Sequence, residues 1–359
     1  MQEGFVSAGK RFTDRYLAVM FASLRDATPE EVQQELEHCR HMNKKPVRVP
    51  KLFRGSFSET SFEASNGYQM QVFSTEPYHE DDTLILYLHG GACIYQPVFF
   101  HWRFTHDIAL RTHYRLVMPI YPKYPEYHCV DNMTVLLDFY ERWVMRQGFQ
   151  RIILMGDSFG GNVAMGLCQE IAHRGWQPVS DLVLLSPCVD NAFTRRDQMK
   201  ALQHLDIMIK RDRVETIMGG WRGELPATHP WVSPVYGDLT TFPKNTLLIY
   251  GSNEILKVDA EMLVEKMQAL GQPIHASEYE GMFHTFPMFP VKEGFMAIKE
   301  MVKGMRNAEF GMRNLPPVVN SAFRIPHSPL TPSASPLLDL GAAYWHRPTW
   351  RGRDRDGFP

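Results

Sequence analysis

One serine of the chain, Ser158, lies in a predicted strand-to-helix turn that could present it as a nucleophile to a substrate. Residues 151–161 read as a short apolar strand, a glycine turn and the start of a helix, and Ser158 lies in the turn in the pattern G-x-S-x-G. The unbroken apolar run at residues 152–155 is typical of a parallel strand that is buried on both faces. Gly156 and Gly160 permit the strained backbone that lifts such a serine out of the sheet. We therefore predict that Ser158 is a nucleophile; a glycine turn that merely contains a serine is the alternative.

A histidine follows the serine at the place where its base is expected. A serine hydroxyl is a poor nucleophile until a base takes its proton, and the base needs a carboxylate that fixes its tautomer. His284 lies in a loop between the last predicted strand and a helix at about residues 291–305, where an imidazole could reach Ser158. We predict His284 as the base; a loop histidine that caps the next helix is the alternative.

Two carboxylates compete for the role of the acid. Glu254 lies in the loop after the preceding predicted strand, shortly beyond Gly251, which ends that strand. Asp259 follows a few residues later, in a position that suits a charge in the first turn of a helix. We therefore predict Glu254 as the acid and retain Asp259 as its rival.

A turn of small residues is suited to meet the negative oxygen of a tetrahedral intermediate, which needs backbone N–H donors. The segment His89-Gly90-Gly91-Ala92 ends a predicted strand in a turn that lets a substrate approach the backbone. The N–H of Phe159, just after the nucleophile, is the other expected donor. An ordinary glycine turn is the alternative reading of the first segment.

Apolar strands that alternate with helical segments must position these groups, and this alternation predicts a mostly parallel, doubly wound α/β sheet. In such sheets the chemistry gathers beyond the carboxyl ends of the strands, where the loops at His89, Ser158, Glu254 and His284 lie. The first strand alternates apolar and polar residues and is predicted to be a half-exposed edge strand. The predicted strands lie at about residues 68–72, 83–88, 115–118, 152–155, 182–185, 246–250 and 275–279.

Two helical pieces interrupt this alternation and are predicted to form a cap. Residues 11–26 and about 28–41 read as helices before the first strand, so we assign residues 1–50 to an N-terminal cap segment; a peripheral helical pair is the alternative. Residues 191–231 form an insertion between two strands of a core at 51–310. Its predicted helical stretches are residues 197–208 and 211–218. Residues 311–359 are rich in proline and arginine and are predicted to be disordered.

Four motifs together resemble the hormone-sensitive lipase-like family of α/β-hydrolases, which includes carboxylesterases and acetyl esterases. The resemblance covers about residues 68–305 and implies an α/β-hydrolase fold with a helical cap. The motifs are His89-Gly90-Gly91-Ala92, Gly156-Asp157-Ser158-Phe159-Gly160-Gly161, the loop Glu254-Ile255-Leu256, and His284.

The resemblance also implies roles for individual residues. Ser158, the acid and His284 would form the catalytic triad. The N–H groups of Gly91, Ala92 and Phe159 would form the oxyanion hole. The supporting motif residues would be His89, Gly90, Gly156, Asp157 and Gly160.

Three positions depart from the family's pattern. Ala92 and Phe159 alter its H-G-G-G and G-D-S-A-G-G motifs, and Glu254 stands where its acid is usually aspartate. We expect the bulky Phe159 side chain to reshape the acyl pocket.

Composition excludes several other classes of function. The 359 residues carry a net charge of −2, which gives no electrostatic case for nucleic acid or an anionic membrane. No apolar run is long enough for a signal peptide or a membrane span, so we predict a cytoplasmic protein with five buried free cysteines. His101 and His106 match no metal pattern and are interpreted as part of a solvated helix face. We predict neither a cofactor nor a metal site.

These observations predict a serine hydrolase that cleaves carboxylic esters of small to medium hydrophobic acyl groups through an acyl-enzyme. The partner implied is a small-molecule ester. Hydrolysis of amides or formamides by the same triad is one alternative. A non-catalytic small-molecule receptor on the same fold is the other, although receptor-type relatives lack the histidine that is present here as His284.

Overall fold

A computed structural model describes residues 28–76 and 80–307. Within this part of the chain, eight strands form a single sheet in the order β1-β2-β4-β3-β5-β6-β7-β8. The strands β1 and β2 pair antiparallel with each other, β2 pairs antiparallel with β4, and β3 to β8 are parallel. The bounds are β1 Phe57–Glu63, β2 Gln69–Thr75, β3 Glu80–Leu88, β4 Tyr114–Pro119, β5 Arg151–Asp157, β6 Asp181–Leu185, β7 Asn245–Gly251 and β8 His275–Tyr279.

Helices follow most of the parallel strands, as the predicted α/β alternation requires. Helix α1 begins with a capping box, because Thr28 accepts a hydrogen bond from the N–H of Glu31 and the Glu31 carboxylate accepts one from the N–H of Thr28. The bounds are α1 Pro29–Asn43, α2 Phe99–Thr112, α3 Cys129–Phe139, α4 Phe159–His173, α5 Arg196–Leu202, α6 Arg211–Trp221, α7 Lys257–Ala269 and α8 Lys292–Asn307.

The central strands are buried on both faces, which is why their sequences are apolar without alternation. Leu86 of β3 lies opposite Leu154 of β5, and both belong to the apolar cluster on one face of the sheet. Their neighbours Ile85 and Ile153 belong to the cluster on the other face. Burial on two sides fixes the register of β5, and β5 leads directly to Ser158.

Three expectations about the elements are corrected. The strand β2 is not at the edge, because β1, which the sequence pattern did not reveal, pairs with it along its whole length. The sequence at about residues 132–146 predicts one helix after β4, whereas the α-helix ends at Phe139 and is followed by a π-helical turn, Tyr140–Val144. The first helix of the insertion covers only Arg196–Leu202, because the carboxylate of Asp206 accepts the N–H groups of the residues that follow and turns the chain.

Other expectations lie outside the described residues. These are the helix at 11–26 and the disorder of residues 311–359. For the N-terminal cap segment, the described part shows one relevant contact: Glu35 of α1 forms an ion pair with Arg213 of α6, which belongs to the insertion. The division into cap, core and tail stays a prediction.

Candidate active site

Ser158 lies at the tip of the turn between β5 and α4, in a backbone conformation that few residues adopt. Its φ is 52° and its ψ is −121°. Glycines on either side make this turn possible. A Cβ on Gly156 would lie 2.3 Å from the carbonyl oxygen of Gly160, and one on Gly160 would lie 2.0 Å from that of Leu88. The predicted strand, turn and helix are therefore present, with the serine alone between strand and helix.

The backbone of Ser158 is fixed to the neighbouring strand, while its hydroxyl is unbonded. Its N–H donates to the carbonyl oxygen of Leu185 at 2.8 Å, and its own carbonyl oxygen accepts from the N–H of Cys188 at 3.2 Å. The side chain is partly exposed at the N-terminus of α4. Among residues 28–76 and 80–307 its hydroxyl has no hydrogen-bond partner. This oxygen is thus held at the positive end of a helix and is free to approach a ligand.

His284 and Glu254 form a buried pair. Nδ1 of His284 lies 2.5 Å from Oε2 of Glu254, and the exposed fractions of the two side chains are 6% and 0%. Because a carboxylate only accepts, the proton lies on Nδ1, and Nε2 keeps its lone pair. Burial alone would lower the pKa of His284, but the charge and hydrogen bond of Glu254, with the charges of Asp206 and Asp157, raise it above its usual value.

The carboxylate of Glu254 is held by two further donors. Its Oε1 accepts from the N–H of Gly251 and from the hydroxyl of Ser186, each at 2.7 Å. The hydroxyl of Ser186 accepts in turn from the N–H of Thr285 at 3.1 Å, so one side chain fixes both the acid and the residue after the histidine. Ser186 was not identified from the sequence, where it marked only the end of β6.

The loop that carries His284 folds back over the end of β7. The carbonyl oxygen of Met282 accepts from the N–H of Asn253 at 2.8 Å, and a Cβ on Gly251 would lie 2.2 Å from the same oxygen. Thr285 has a left-handed backbone with a φ of 50°, which ends the loop tightly. Only glycine at position 251 lets the loop approach so closely, and this approach brings His284 to Glu254.

The serine and the buried pair meet at the end of β6. The carbonyl oxygen of Leu185 accepts from the N–H of Ser158, and the next residue, Ser186, binds Glu254. Neighbouring strands lie roughly 4.8 Å apart, so β5 and β7, which flank β6, are about 10 Å apart. The structure thus brings His284 into direct contact with Glu254. It leaves the hydroxyl of Ser158 without a bond to either of them.

Asp259, the rival acid, holds a different loop. It lies in the first turn of α7, as its position in the sequence suggested, and its carboxylate accepts from the N–H groups of Val189 at 2.6 Å and Asp190 at 3.0 Å. Burial raises the pKa of Asp259 to about 7. Among the described residues it makes no hydrogen bond or ion pair with His284.

The turn after β3 presents unpaired N–H groups beside the nucleophile. Gly91, Ala92 and Cys93 all have positive φ, of 112°, 48° and 58°, so the backbone turns tightly here. Within the described part of the chain, the N–H groups of Gly91, Ala92 and Phe159 have no acceptor. The N–H of Gly90 is used differently, since it donates to Asp157 at 2.8 Å.

Known proteins are similar to this chain in sequence and in fold. A sequence model of the α/β-hydrolase fold family matches residues 85–288. An esterase from Acinetobacter venetianus is 30% identical over 216 residues, which cover 57% of this chain and 68% of the relative. The chain belongs to the α/β-hydrolase family.

Solved structures agree with this assignment. A candidate esterase from Staphylococcus aureus has a TM-score of 0.72 and 28% identity, with 78% of this chain and 94% of that chain covered. A hormone-sensitive lipase from a metagenome library has a TM-score of 0.69 and 24% identity, covers 83% and 97%, and shows the fold alone. The chain is thus confirmed as an α/β-hydrolase of the carboxylesterase type.

In this α/β-hydrolase the motif residue Asp157 is a buried anchor for the turn after β3. Its carboxylate accepts from the hydroxyl of Tyr87 at 2.5 Å and from Gly90, and it lies 3.6 Å from Nε2 of His101. Burial would raise the pKa of Asp157, but His101 and these hydrogen bonds lower it. The expected solvated position of His101 was wrong: its side chain is buried because it pairs with a carboxylate from β5.

The side chains of His89 and Phe159 pack against aromatic residues around the turn after β3 and the turn that carries Ser158. The ring of His89 stacks on Tyr121 with centroids 4.8 Å apart, and Tyr121 donates its hydroxyl hydrogen to the carbonyl oxygen of His89. The ring of Phe159 packs between those of Tyr121 and Trp221 of α6, with centroid distances of 6.4 Å and 4.7 Å. The position where the family has alanine is therefore filled by a ring that contacts the insertion between β6 and β7.

Residues 28–76 and 80–307 contain neither a metal site nor a membrane-spanning helix. No group of three or more histidine, cysteine and carboxylate side chains could hold a metal ion there. No helix in the same residues is long and apolar enough to cross a bilayer. All five cysteines are free and buried, as predicted.

Proposed function

We propose that this α/β-hydrolase is a serine carboxylesterase with Ser158 as nucleophile, His284 as base and Glu254 as acid. The observation that carries the proposal is the buried pair of His284 and Glu254, at 2.5 Å, on loops that end at the same edge of the sheet as the strained serine turn. A neutral imidazole whose Nδ1–H is bound by a carboxylate has its Nε2 lone pair available for a serine proton.

The reaction proceeds through an acyl-enzyme. Nε2 of His284 takes the hydroxyl proton as the oxygen of Ser158 attacks the ester carbonyl, and the resulting imidazolium is stabilised by Glu254. The imidazolium then returns the proton to the leaving alcohol, and water repeats the sequence to release the acid. The Ser158 hydroxyl must first rotate toward His284, and hydrogen bonds of this kind often tighten only when substrate binds.

The unpaired N–H groups of Gly91, Ala92 and Phe159 support the role of an oxyanion hole. The negative oxygen of the tetrahedral intermediate would gain donors that have no other acceptor in the described structure, so no existing bond has to break. Side chains do not take part in this contact. The departures from the family pattern at Ala92 and Phe159 therefore leave the donors intact.

We further propose that the substrate carries a small or medium hydrophobic acyl group. Phe159 directly follows the nucleophile, and its ring packs against Tyr121 and Trp221 in an aromatic wall whose three side chains are each at most 1% exposed. Such a wall favours an apolar acyl chain and limits its size. The Acinetobacter relative is named an esterase, which agrees with ester rather than amide cleavage.

Ser158→Ala tests the mechanism directly. We expect it to abolish hydrolysis of p-nitrophenyl acetate and labelling by a fluorophosphonate, while thermal unfolding stays close to that of the wild type because the side chain is partly exposed. Wild-type labelling without ester turnover would favour the amide alternative, which matched amide substrates would then check. Absence of labelling in the wild type would favour the receptor and refute the proposal.

A further inference from the structure

One carboxylate of the insertion between β6 and β7 contacts the loop that carries the proposed acid. Asp206 follows α5 and is 4% exposed. Its Oδ1 accepts from the N–H groups of Met208 and Ile209, each at 2.8 Å. Its Oδ2 accepts from the N–H of Ile255, also at 2.8 Å. Because Ile255 directly follows Glu254, a single side chain connects the insertion to the loop that carries the proposed acid.

We propose that Asp206 is a positioning residue for the triad: it fixes the Glu254 loop and adds a negative charge near His284 to those of Glu254 and Asp157. This inference rests on the proposed function. Asp206 touches neither the nucleophile nor any reacting atom, so its contribution passes through Glu254 and His284.

The geometry favours an ionised carboxylate at this position, because the burial that raises the pKa of Asp206 is partly offset by the N–H groups that its carboxylate accepts. Three N–H groups point at its two oxygens, and no other side chain of this cluster could accept them all. A carboxamide of the same shape has one acceptor oxygen and would direct its NH₂ group at either the Ile255 N–H or the two cap N–H groups. Charge-assisted hydrogen bonds in a buried site are stronger than neutral ones, so the carboxylate holds the loop firmly.

The charge of Asp206 acts on the imidazole as well. The groups that act on the charge of His284 are the carboxylates of Glu254, Asp206 and Asp157, and all three favour the protonated ring. Attack by Ser158 creates that protonated ring. Asp206 would therefore stabilise the imidazolium formed in the transition state without contacting the substrate.

The test is the pH dependence of kcat/KM for p-nitrophenyl acetate in Asp206→Asn. The base must be neutral, so activity falls on the acidic side as His284 becomes protonated. We expect the plateau to fall by about tenfold or more, because the acid loop loses its anchor. We expect the acidic limb to move to lower pH, because a charge that favoured the imidazolium is gone.

Asp259→Asn is the matched control. Asp259 is also a buried carboxylate that accepts backbone N–H groups, but among the described residues no hydrogen bond or ion pair joins it to His284 or to the Glu254 loop. Its acidic limb should stay at the wild-type pH. If the Asp206→Asn protein is insoluble, Asp206→Ser replaces it, since its hydroxyl can still accept from the cap N–H groups while the charge is lost.

The outcomes separate this inference from the proposed function. An unchanged acidic limb in the Asp206 variant, even with a lower melting temperature, would overturn the inference and leave Asp206 as a purely structural residue. Wild-type protein that is not labelled by a fluorophosphonate would overturn the proposed function itself. Labelled wild type with a shifted limb in the Asp206 variant alone would support both.

Discussion

Replacing Glu254 with glutamine would test the proposed acid with little change in shape. Oε1 of Glu254 accepts from Gly251 and Ser186, and Oε2 faces Nδ1 of His284. The N–H of Gly251 can only donate, so the amide oxygen of the introduced glutamine must take that side. Its NH₂ group would then face Nδ1 of His284.

The orientation of the introduced amide sets how far kcat should fall. A donor facing Nδ1 forces that nitrogen to accept, which moves the ring proton to Nε2 and removes the lone pair that Ser158 needs. The corresponding amide substitution in a serine protease triad lowers kcat about 10⁴-fold. At about 1.36 kcal/mol for each factor of ten, the barrier rises by about 5.4 kcal/mol. Two of the three hydrogen bonds of Glu254 are kept and the third reverses its direction, so the free energy of unfolding should change by only about 1 kcal/mol.

The assay is kcat for p-nitrophenyl acetate with thermal unfolding measured on the same samples. Glu254→Asp serves as the control, because it keeps the charge and the tautomer but shortens the reach, and we expect a smaller loss. The pKa of His284 is raised by Glu254. The acidic limb of the wild type should therefore lie above the usual pKa of histidine, and that of any residual Glu254→Gln activity should lie lower. A glutamine variant that keeps more than about a tenth of kcat, where the tautomer argument requires a 10⁴-fold loss, would refute the assignment of Glu254 as the acid.

Three further substitutions test the surroundings of the site. Phe159→Ala should destabilise the fold by about 3 to 5 kcal/mol and raise kcat/KM for long relative to short p-nitrophenyl esters, since it opens the aromatic wall; an unchanged chain-length profile would contradict this. Gly160→Ala should cost about 3 kcal/mol or more in urea unfolding, because its Cβ would meet the Leu88 carbonyl, whereas Gly219→Ala, in open space on α6, should be neutral or stabilising. Folding raises the pKa of Asp259 to about 7. The folded protein therefore loses stability as the pH rises from the pKa of Asp259 in the unfolded chain toward 7. Asp259→Asn should flatten this dependence of the unfolding free energy on pH. Urea unfolding at several pH values measures it, and a variant with the wild-type slope would contradict the prediction.

The parts of the site that the sequence predicts are those that depend on local chain geometry. A buried strand that ends in small residues and leads into a helix can place Ser158 in only one way, and the structure has this turn. His284 and Glu254 were selected by their position after successive strands of a parallel sheet. Because the carboxyl ends of such strands share one edge, their order along the chain predicts that these side chains meet, and they do.

The parts that could not be predicted depend on contacts between distant segments. Ser186 binds Glu254 across 68 residues, and Asp206 binds the N–H of Ile255 across 49. Neither has a neighbouring motif, since a hydroxyl or carboxylate at such a position is ordinary in any loop. His101 was misinterpreted for the same reason, because the approach of Asp157 from β5 explains why a histidine of α2 is buried there.

Contacts made by the insertion between β6 and β7 show why an α/β-hydrolase core alone does not account for the geometry of the site. Arg213 of α6 donates to the hydroxyl of Tyr95, which follows the turn with the unpaired N–H groups, and to the carboxylate of Glu35 on α1. Asp206, earlier in the same insertion, holds the loop of the proposed acid. One segment of the insertion therefore contacts both the acid loop and the chain beyond the proposed oxyanion turn. Variation in that segment can change how these loops are held while every core motif stays intact.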